Sequence, residues 1–373
     1  MKSYPLAKPE INNDDIEAVT KVLKSPYLSR GPMVMAFEKQ FAKEIRVKYA
    51  CALSSGTAGL IIALQALGVK TGDEVITVSF TVPATVNSIV AIGAIPIMVD
   101  IDLMTLGMCP NALKQAISKK TKAIIVVHAF GKAAQIDKLI TIARENNITV
   151  IEDACEAIGN DYKGKPLGSL ADIGVFAFYP NKQITTGEGG MLVTNDEVLH
   201  HQFELLRNHG RSMNGDLFDQ ISFGWNFRMS DINAALGLSQ LNRIKQIVTR
   251  RQEIAADYHA ILSQKNNISC PAFSVKEHNS AWFVYVIRLL NGDRDKLLFE
   301  LQHLKIQCGR YFAPVHMQPY YRDKYPGLQL KNTELIANQC LALPFYPQLN
   351  KKDIVYICDK LVKSSQYVYF LLK

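Results

Sequence analysis

The stretch VFAFYPNKQITTGEGGMLVT, residues 175–194, sets two short apolar runs around a turn. The flanking runs, Gly174–Phe178 and Met191–Val193, read as strands because they are rich in β-branched and aromatic residues. Between them Pro180 and Asn181 mark a turn, Lys182 follows, and Gly187, Glu188, Gly189 and Gly190 close the loop. A lone lysine in such a loop is ordinarily a solvated side chain. The glycine run argues for more, since residues without a Cβ let backbone close against the lysine and whatever it holds.

The same grammar extends upstream. Val75–Val78, Ile95–Val99, Ala123–Val127 and Thr149–Ile151 read as strands, and Gly59–Leu67, Val82–Ile92, Asn111–Ser118 and Ile136–Asn146 as the helices between them. Near-continuous apolar strands alternating with amphipathic helices predict an α/β domain with a largely parallel sheet covered on both faces. Downstream the pattern changes. Asp231–Val248 and Gln252–Leu262 read as long helices, Trp282–Leu290 as a strand, Asp295–Leu304 and Lys351–Lys363 as helices. This predicts a large domain over 1–245 and a smaller α+β domain over 246–373. Residues 207–223 carry weak periodicity and read as a long functional loop.

Composition narrows the function classes. Of 373 residues, 48% are hydrophobic and 20% charged, which is globular usage and argues against a disordered chain. The most apolar stretches, Ile61–Leu67 and Ser88–Val99, are too short or interrupted to span a bilayer. The first residues, MKSYPLAKPEINNDD, lack the apolar core of a signal peptide, so a cytoplasmic location is expected. Seven cysteines at 51, 109, 155, 270, 308, 340 and 358 show no zinc-like spacing and read as free thiols, with no metal site. The net charge of +8 comes from dispersed clusters such as Lys119, Lys120 and Lys122, without interleaved aromatics. A nucleic-acid platform is not indicated. A basic surface suits a polyanionic small substrate instead.

Two further segments bear chemistry. In LSSGTAGL, residues 53–60, small and capping residues precede an apolar helical run. Ser55 or Thr57 can cap the helix and Gly56 permits close backbone approach, which describes either a plain N-cap or a phosphate site at a helix N-terminus. The GK[ST] of a nucleotide P-loop is missing. In TVIEDACEA, residues 149–157, an apolar strand ends in Glu152 and Asp153, with Glu156 close behind. Such carboxylates are either helix caps or active-site acids. Taken with Lys182, these parts match the needs of pyridoxal 5'-phosphate: a phosphate cradle, a lysine for its aldehyde and a carboxylate for its ring nitrogen.

The chain also resembles the sugar aminotransferases of the DegT/DnrJ/EryC1/StrS group, over nearly its whole length. The likeness runs through YLSRGP (27–32) with Phe37 and Glu38, Ser55 to Thr57, GDEVI (72–76), GAIP (93–96), VDID (99–102) and HAFG (128–131). It continues through Glu152 and Asp153, Lys182 to Gly190, GWNFRMSD (224–231), PVH (314–316), and Leu343 with Pro344. The resemblance implies a fold-type-I enzyme: a large domain with a mostly parallel seven-stranded sheet, a smaller C-terminal α+β domain, and a homodimer whose active sites are shared between subunits. It implies that Lys182 bonds the cofactor aldehyde, that Asp153 pairs with the pyridine nitrogen, and that Glu156 contacts the ring hydroxyl where many relatives have Gln or His. Gly56 and Thr57 would bind the phosphate, Asn226 would reach the cofactor phosphate of the neighbouring subunit, and His316 would contact substrate.

The expected reaction is transfer of an amino group from L-glutamate to a keto group of a nucleotide-linked deoxy sugar, feeding surface polysaccharide or glycoconjugate synthesis. A cyclitol ketone as acceptor and a non-catalytic binding protein on the same scaffold are the alternatives. Lys182 argues against the dehydratases of this fold, which carry histidine there. Two departures from the group stand out. Ala177 replaces a phosphate-binding serine, a loss of about 1.5–3 kcal/mol unless another donor substitutes. Val82 replaces an aromatic that stacks on the pyridine ring, worth about 1 kcal/mol.

Overall fold

The computed structural model describes residues 2–29, 31–211, 219–271 and 280–370. Its strands are β1 (Tyr49–Leu53), β2 (Glu74–Val78), β3 (Ile95–Val99), β4 (Thr121–Val127), β5 (Thr149–Asp153), the small hairpin β6 (Asp161–Tyr162) and β7 (Lys165–Pro166), β8 (Ile173–Ala177), β9 (Gly190–Thr194), β10 (Ile268–Ser269), β11 (Tyr285–Leu289) and β12 (Cys340–Leu343). The central sheet has seven strands in the order β1-β9-β8-β5-β4-β2-β3. Only β9 runs against the others: it pairs antiparallel with both β1 and β8, while the remaining pairs are parallel. β3 and β4 flank β2, so the chain reverses its direction of travel across the sheet there. In open α/β sheets such a switch point, outside the carboxyl ends of the strands, is where ligands bind.

Helices cover both faces: α1 (Asn13–Leu23), α2 (Pro32–Ile45), α3 (Gly56–Ala66), α4 (Pro83–Ala91), α5 (Pro110–Ala116), α6 (Ile136–Glu145), α7 (Glu197–Arg207), α8 (Asp231–Asn242) and α9 (Ile244–Leu262). Helix α3 is apolar almost all round and is buried almost all round, from Ala58 through Leu64 except Ile61. Gly59 lets it approach the sheet, since a Cβ there would lie 2.8 Å from Val175 Cγ1. A second core, built from Tyr4 and residues of α9, β10–β12, α10 (Arg294–His303) and α13 (Lys351–Phe370), carries the three-stranded sheet β10-β11-β12. Two further short helices, α11 (Pro319–Arg322) and α12 (Lys331–Gln339), complete the chain. Helix α9 itself joins the two cores: Ile244 and Ile247 pack in the first, Ile254, Tyr258 and Leu262 in the second. Among the described residues no helix is long and apolar enough to cross a membrane.

Two expectations need correction. The helix expected over Asp231–Val248 is two helices, broken at Arg243, whose backbone leaves the helical region with φ −114° and ψ 18°. No Gly or Pro marks the break. The Arg243 guanidinium instead reaches the Glu10 carbonyl at 2.9 Å and the buried Asp15 carboxylate at 2.8 Å, a tertiary pull invisible to periodicity. The strand expected over Trp282–Leu290 covers only Tyr285–Leu289. Of the loop expected over 207–223, residues 212–218 lie outside the described residues. Its two stems meet, with the Ile221 N–H donating to the Gly210 carbonyl at 2.9 Å.

Candidate active site

The carboxyl ends of β2, β4, β5 and β8, the N-termini of α3 and α4, and the loop before β9 share one edge of the sheet. At the end of β5, consecutive side chains face opposite sides, as the pleat requires. Glu152 is fully buried and accepts from His128 Nε2 at 2.9 Å and from the N–H groups of Gly168, Leu170 and Ala171 at 2.8, 2.7 and 2.7 Å. His128 Nδ1 accepts the Ala134 N–H, so its Nε2 carries the hydrogen. This carboxylate is saturated. It ties the segment before β8 to β5 and has no valence left for a ligand.

Asp153 is nearly as buried but far less engaged. Its Oδ2 accepts from Thr85 Oγ1 at 2.8 Å, and its Oδ1 from the Cys155 N–H at 3.3 Å. Thr85 in turn accepts from Thr81 Oγ1 at 2.9 Å, since its own hydrogen goes to Asp153. Two buried hydroxyls from the start of α4 thus feed one carboxylate. Nothing in the sequence pattern assigns either threonine to this carboxylate. Their i,i+4 spacing is the one available signal, and it has no meaning until β2 and β5 are known to lie near each other.

Helix α3 begins beside this carboxylate. Ser55 caps it, accepting the Ala58 N–H at 3.1 Å. The Gly59 N–H bonds to the Ser55 carbonyl. Among the described residues the N–H groups of Gly56 and Thr57 meet no acceptor. A Cβ on Gly56 would lie 2.8 Å from Ala177 Cβ and 3.0 Å from Cys155 Sγ. One on Gly190 would lie 2.4 Å from the Ser55 carbonyl. These two glycines hold the open helix end tight against β8 and β9, an arrangement suited to a phosphate. Ala177 contributes only a methyl to this cradle.

Lys182 closes a turn from Tyr179, its N–H donating to the Tyr179 carbonyl at 2.9 Å with Pro180 at the second position, where its fixed φ fits. Gly187 has φ +81°, and Thr185 and Asn233 brace the loop through its carbonyls and N–H groups. The Lys182 amine is 3.4 Å from Glu156 Oε1 and 4.3 Å from the centre of the Phe283 ring. Glu156 Oε2 accepts the N–H of Phe130, which holds a left-handed φ of +61°. Burial pushes the Glu156 carboxyl up, while the Lys182 charge pulls it down. The buried Arg251 guanidinium donates to the carbonyls of Lys182, Trp282 and Phe283, each at 3.2 Å, so one cation fixes both the lysine and the ring beneath it. Phe283 and Arg251 were not legible in the sequence, and Phe130 stood only within the HAFG motif, with no role attached.

Two candidates stand apart. His316 is buried, with Nδ1 2.7 Å from Ser79 Oγ and Nε2 3.2 Å from Glu334 Oε1. Both ring nitrogens are engaged within the protein, and the ring pins its segment to the end of β2. Asn226 is exposed, in an extended run whose next residue, Phe227, accepts the Ser54 N–H at 2.8 Å. Among the described residues neither hydrogen-bonds to Lys182, whose amine meets Glu156.

Comparison with known proteins bears on this geometry. The model of the DegT/DnrJ/EryC1/StrS aminotransferase family matches residues 9–362. The GDP-perosamine synthase of Escherichia coli O157:H7 is 36% identical over 366 residues, covering 97% of this chain and 98% of that protein. The structure of Helicobacter pylori PseC, an aminotransferase involved in the biosynthesis of pseudoaminic acid, superposes with a TM-score of 0.92 at 27% identity, covering 98% of this chain and 100% of that one. Bacillus subtilis NtdA, solved with bound cofactor PMP, gives 0.87 at 33% identity, covering 95% and 83%.

Proposed function

Because the chain belongs to the DegT/DnrJ/EryC1/StrS aminotransferase family, we propose that it transfers an amino group from L-glutamate to the keto group of a nucleotide-linked deoxy sugar, using pyridoxal 5'-phosphate. The observation that carries the reading is the convergence of a buried amine, an under-satisfied carboxylate and an open helix N-terminus on one sheet edge. When bound, the cofactor supplies a reactive carbonyl and a ring that accepts electrons.

The chain's own residues divide the remaining work. The N–H groups of Gly56 and Thr57, at the positive end of α3, hold the phosphate. Asp153, kept in place by Thr85, would pair with the ring nitrogen and hold a proton there. Lys182 would hold the cofactor through its carbonyl and, as a free amine, would carry a proton at Nζ, a role worth about 10²–10⁴ in rate. Glu156 stands beside it. Phe130 and Phe312, stacked at 5.2 Å, with Phe80 against both, form an aromatic cluster behind the Phe130 N–H that anchors Glu156.

A homodimer fits the same reading. Tyr27, Leu28 and Met35, beside the run that ends in Asp231, and Ile221 and Phe223, beside Asn226, are large apolar side chains left exposed in one chain. Clustered exposure of this kind marks protein contact surfaces. Asn226 then serves the cofactor phosphate of the second subunit, and His316 shapes the substrate side from behind. A cytoplasmic role in making a sugar for surface polysaccharide follows from the substrate class.

The test is a two-stage absorbance assay on the purified protein with pyridoxal phosphate. L-Glutamate alone should bleach the visible band, and a keto nucleotide sugar should restore it and yield an amino sugar. A protein with no visible band, or a band indifferent to glutamate, contradicts the proposal.

A further inference from the structure

Every hydrogen-bonding valence of Glu152 is spent, whereas Glu156 keeps one oxygen for Lys182 alone. Its Oε2 is anchored by the Phe130 N–H at 2.8 Å. Its Oε1 faces the Lys182 amine at 3.4 Å, beyond the roughly 2.7–2.9 Å of a tight charge-assisted bond. The pair is close enough to exchange a proton and too loose to be a rigid strut. Both side chains are about nine-tenths buried, at 10% and 9% exposure, so bulk water does not mediate between them.

We infer that Glu156 is the proton partner of Lys182: the two side chains hold one exchangeable proton, which Glu156 takes as the amine bonds a carbonyl carbon and gives up as the oxygen leaves. The inference rests on the proposed role of Lys182 as the amine that bonds a carbonyl. The step balances without any other reagent. The ammonium passes a proton to the carboxylate, and the neutral nitrogen forms a C–N bond. The carbonyl oxygen then leaves as water with the proton from Glu156 and one from the nitrogen. The resulting protonated C=N bond faces the restored carboxylate.

The surroundings favour a shared proton over a permanent ion pair. Burial and the Asp153 charge push the Glu156 carboxyl up, against the opposing pull of Lys182 and the Phe130 N–H. On the other side, the Phe283 ring lies 4.3 Å from the amine and closes the pair off. The Tyr311 hydroxyl and the Cys155 thiol, both pushed up by burial, stay neutral and do not compete.

The experiment is capture of formaldehyde by the full chain in the presence of cyanoborohydride, followed by peptide mass spectrometry from pH 5 to 10. The exposed Lys8 serves as internal reference in the same digest. In the wild type, capture at Lys182 relative to Lys8 should trace a bell, because only the singly protonated pair is competent. Glu156→Gln keeps an acceptor for the Phe130 N–H. It should lose the alkaline limb, leaving capture that rises with pH, and should be about a hundredfold slower at the wild-type optimum. Glu156→Asp should restore a bell of lower height. Profiles of identical shape in wild type and Glu156→Gln, merely scaled, overturn the inference and leave Glu156 a packing residue. Absence of capture at Lys182 in the wild type, together with no visible cofactor band, overturns the proposed function instead.

Discussion

The two faces of the sheet at the end of β5 treat neighbouring carboxylates in opposite ways. On one face Glu152 is wrapped by a histidine N–H and three backbone N–H groups. On the other, Asp153 receives one hydroxyl and one long backbone contact, and Glu156 one N–H and a loosely held ammonium. Both faces are buried, so burial alone does not distinguish scaffold from chemistry. Saturation does. A buried carboxylate with all its acceptors filled holds segments of chain together, and one with capacity left over is available to a ligand.

The widest break in this comparison is a pair of substitutions. Glu152→Ala strands four donors in the interior, and chemical denaturation should show a loss of about 4 kcal/mol. Asp153→Asn should change stability by less than about 1 kcal/mol, yet lower kcat/KM by about a hundredfold or more through the loss of a preorganised charge. Equal stability losses in the two variants would erase the distinction between the faces.

A finer test is Thr85→Val, which keeps the shape and removes the donor to Asp153. A hydrogen bond to a charged group is worth at least about 1.5 kcal/mol, so cofactor affinity should fall about tenfold by equilibrium titration while the melting temperature holds. Loss of stability without loss of affinity would make the Thr81–Thr85 chain a helix-packing device.

How much of this was legible in the sequence follows the same line between local and tertiary information. The alternation of apolar strands and helices is local, and β2, β3, β4, β5, β8 and β9 stand where their runs of Val, Ile and Phe indicated. Strand β1, with the sequence YACAL, was missed because Ala and Cys carry little strand preference and its pairing with β9 is made across 136 residues of intervening chain. Asp153, at the end of β5, and Gly56, at the start of α3, stood out by position, and Glu156 and Lys182 lie in the loops that follow β5 and β8; their individual roles came from the family resemblance. Thr85 meets Asp153 across 68 positions, and Arg251 meets Lys182 across 69, so no window of sequence contains either pair. Residue patterning alone did not separate Glu152 from Asp153, and only the family resemblance named Asp153. The separation depends on which face the loop at Gly168 to Ala171 covers.

The chemistry proposed for this sheet edge requires Lys182 to be the amine that bonds the cofactor. The most direct measurement is borohydride reduction of the protein loaded with pyridoxal phosphate, followed by proteolysis and mass mapping. A single cofactor adduct on Lys182, absent from Lys182→Ala, is the predicted result. An adduct on any other lysine, or none, would contradict the assignment and with it the reading of the whole sheet edge.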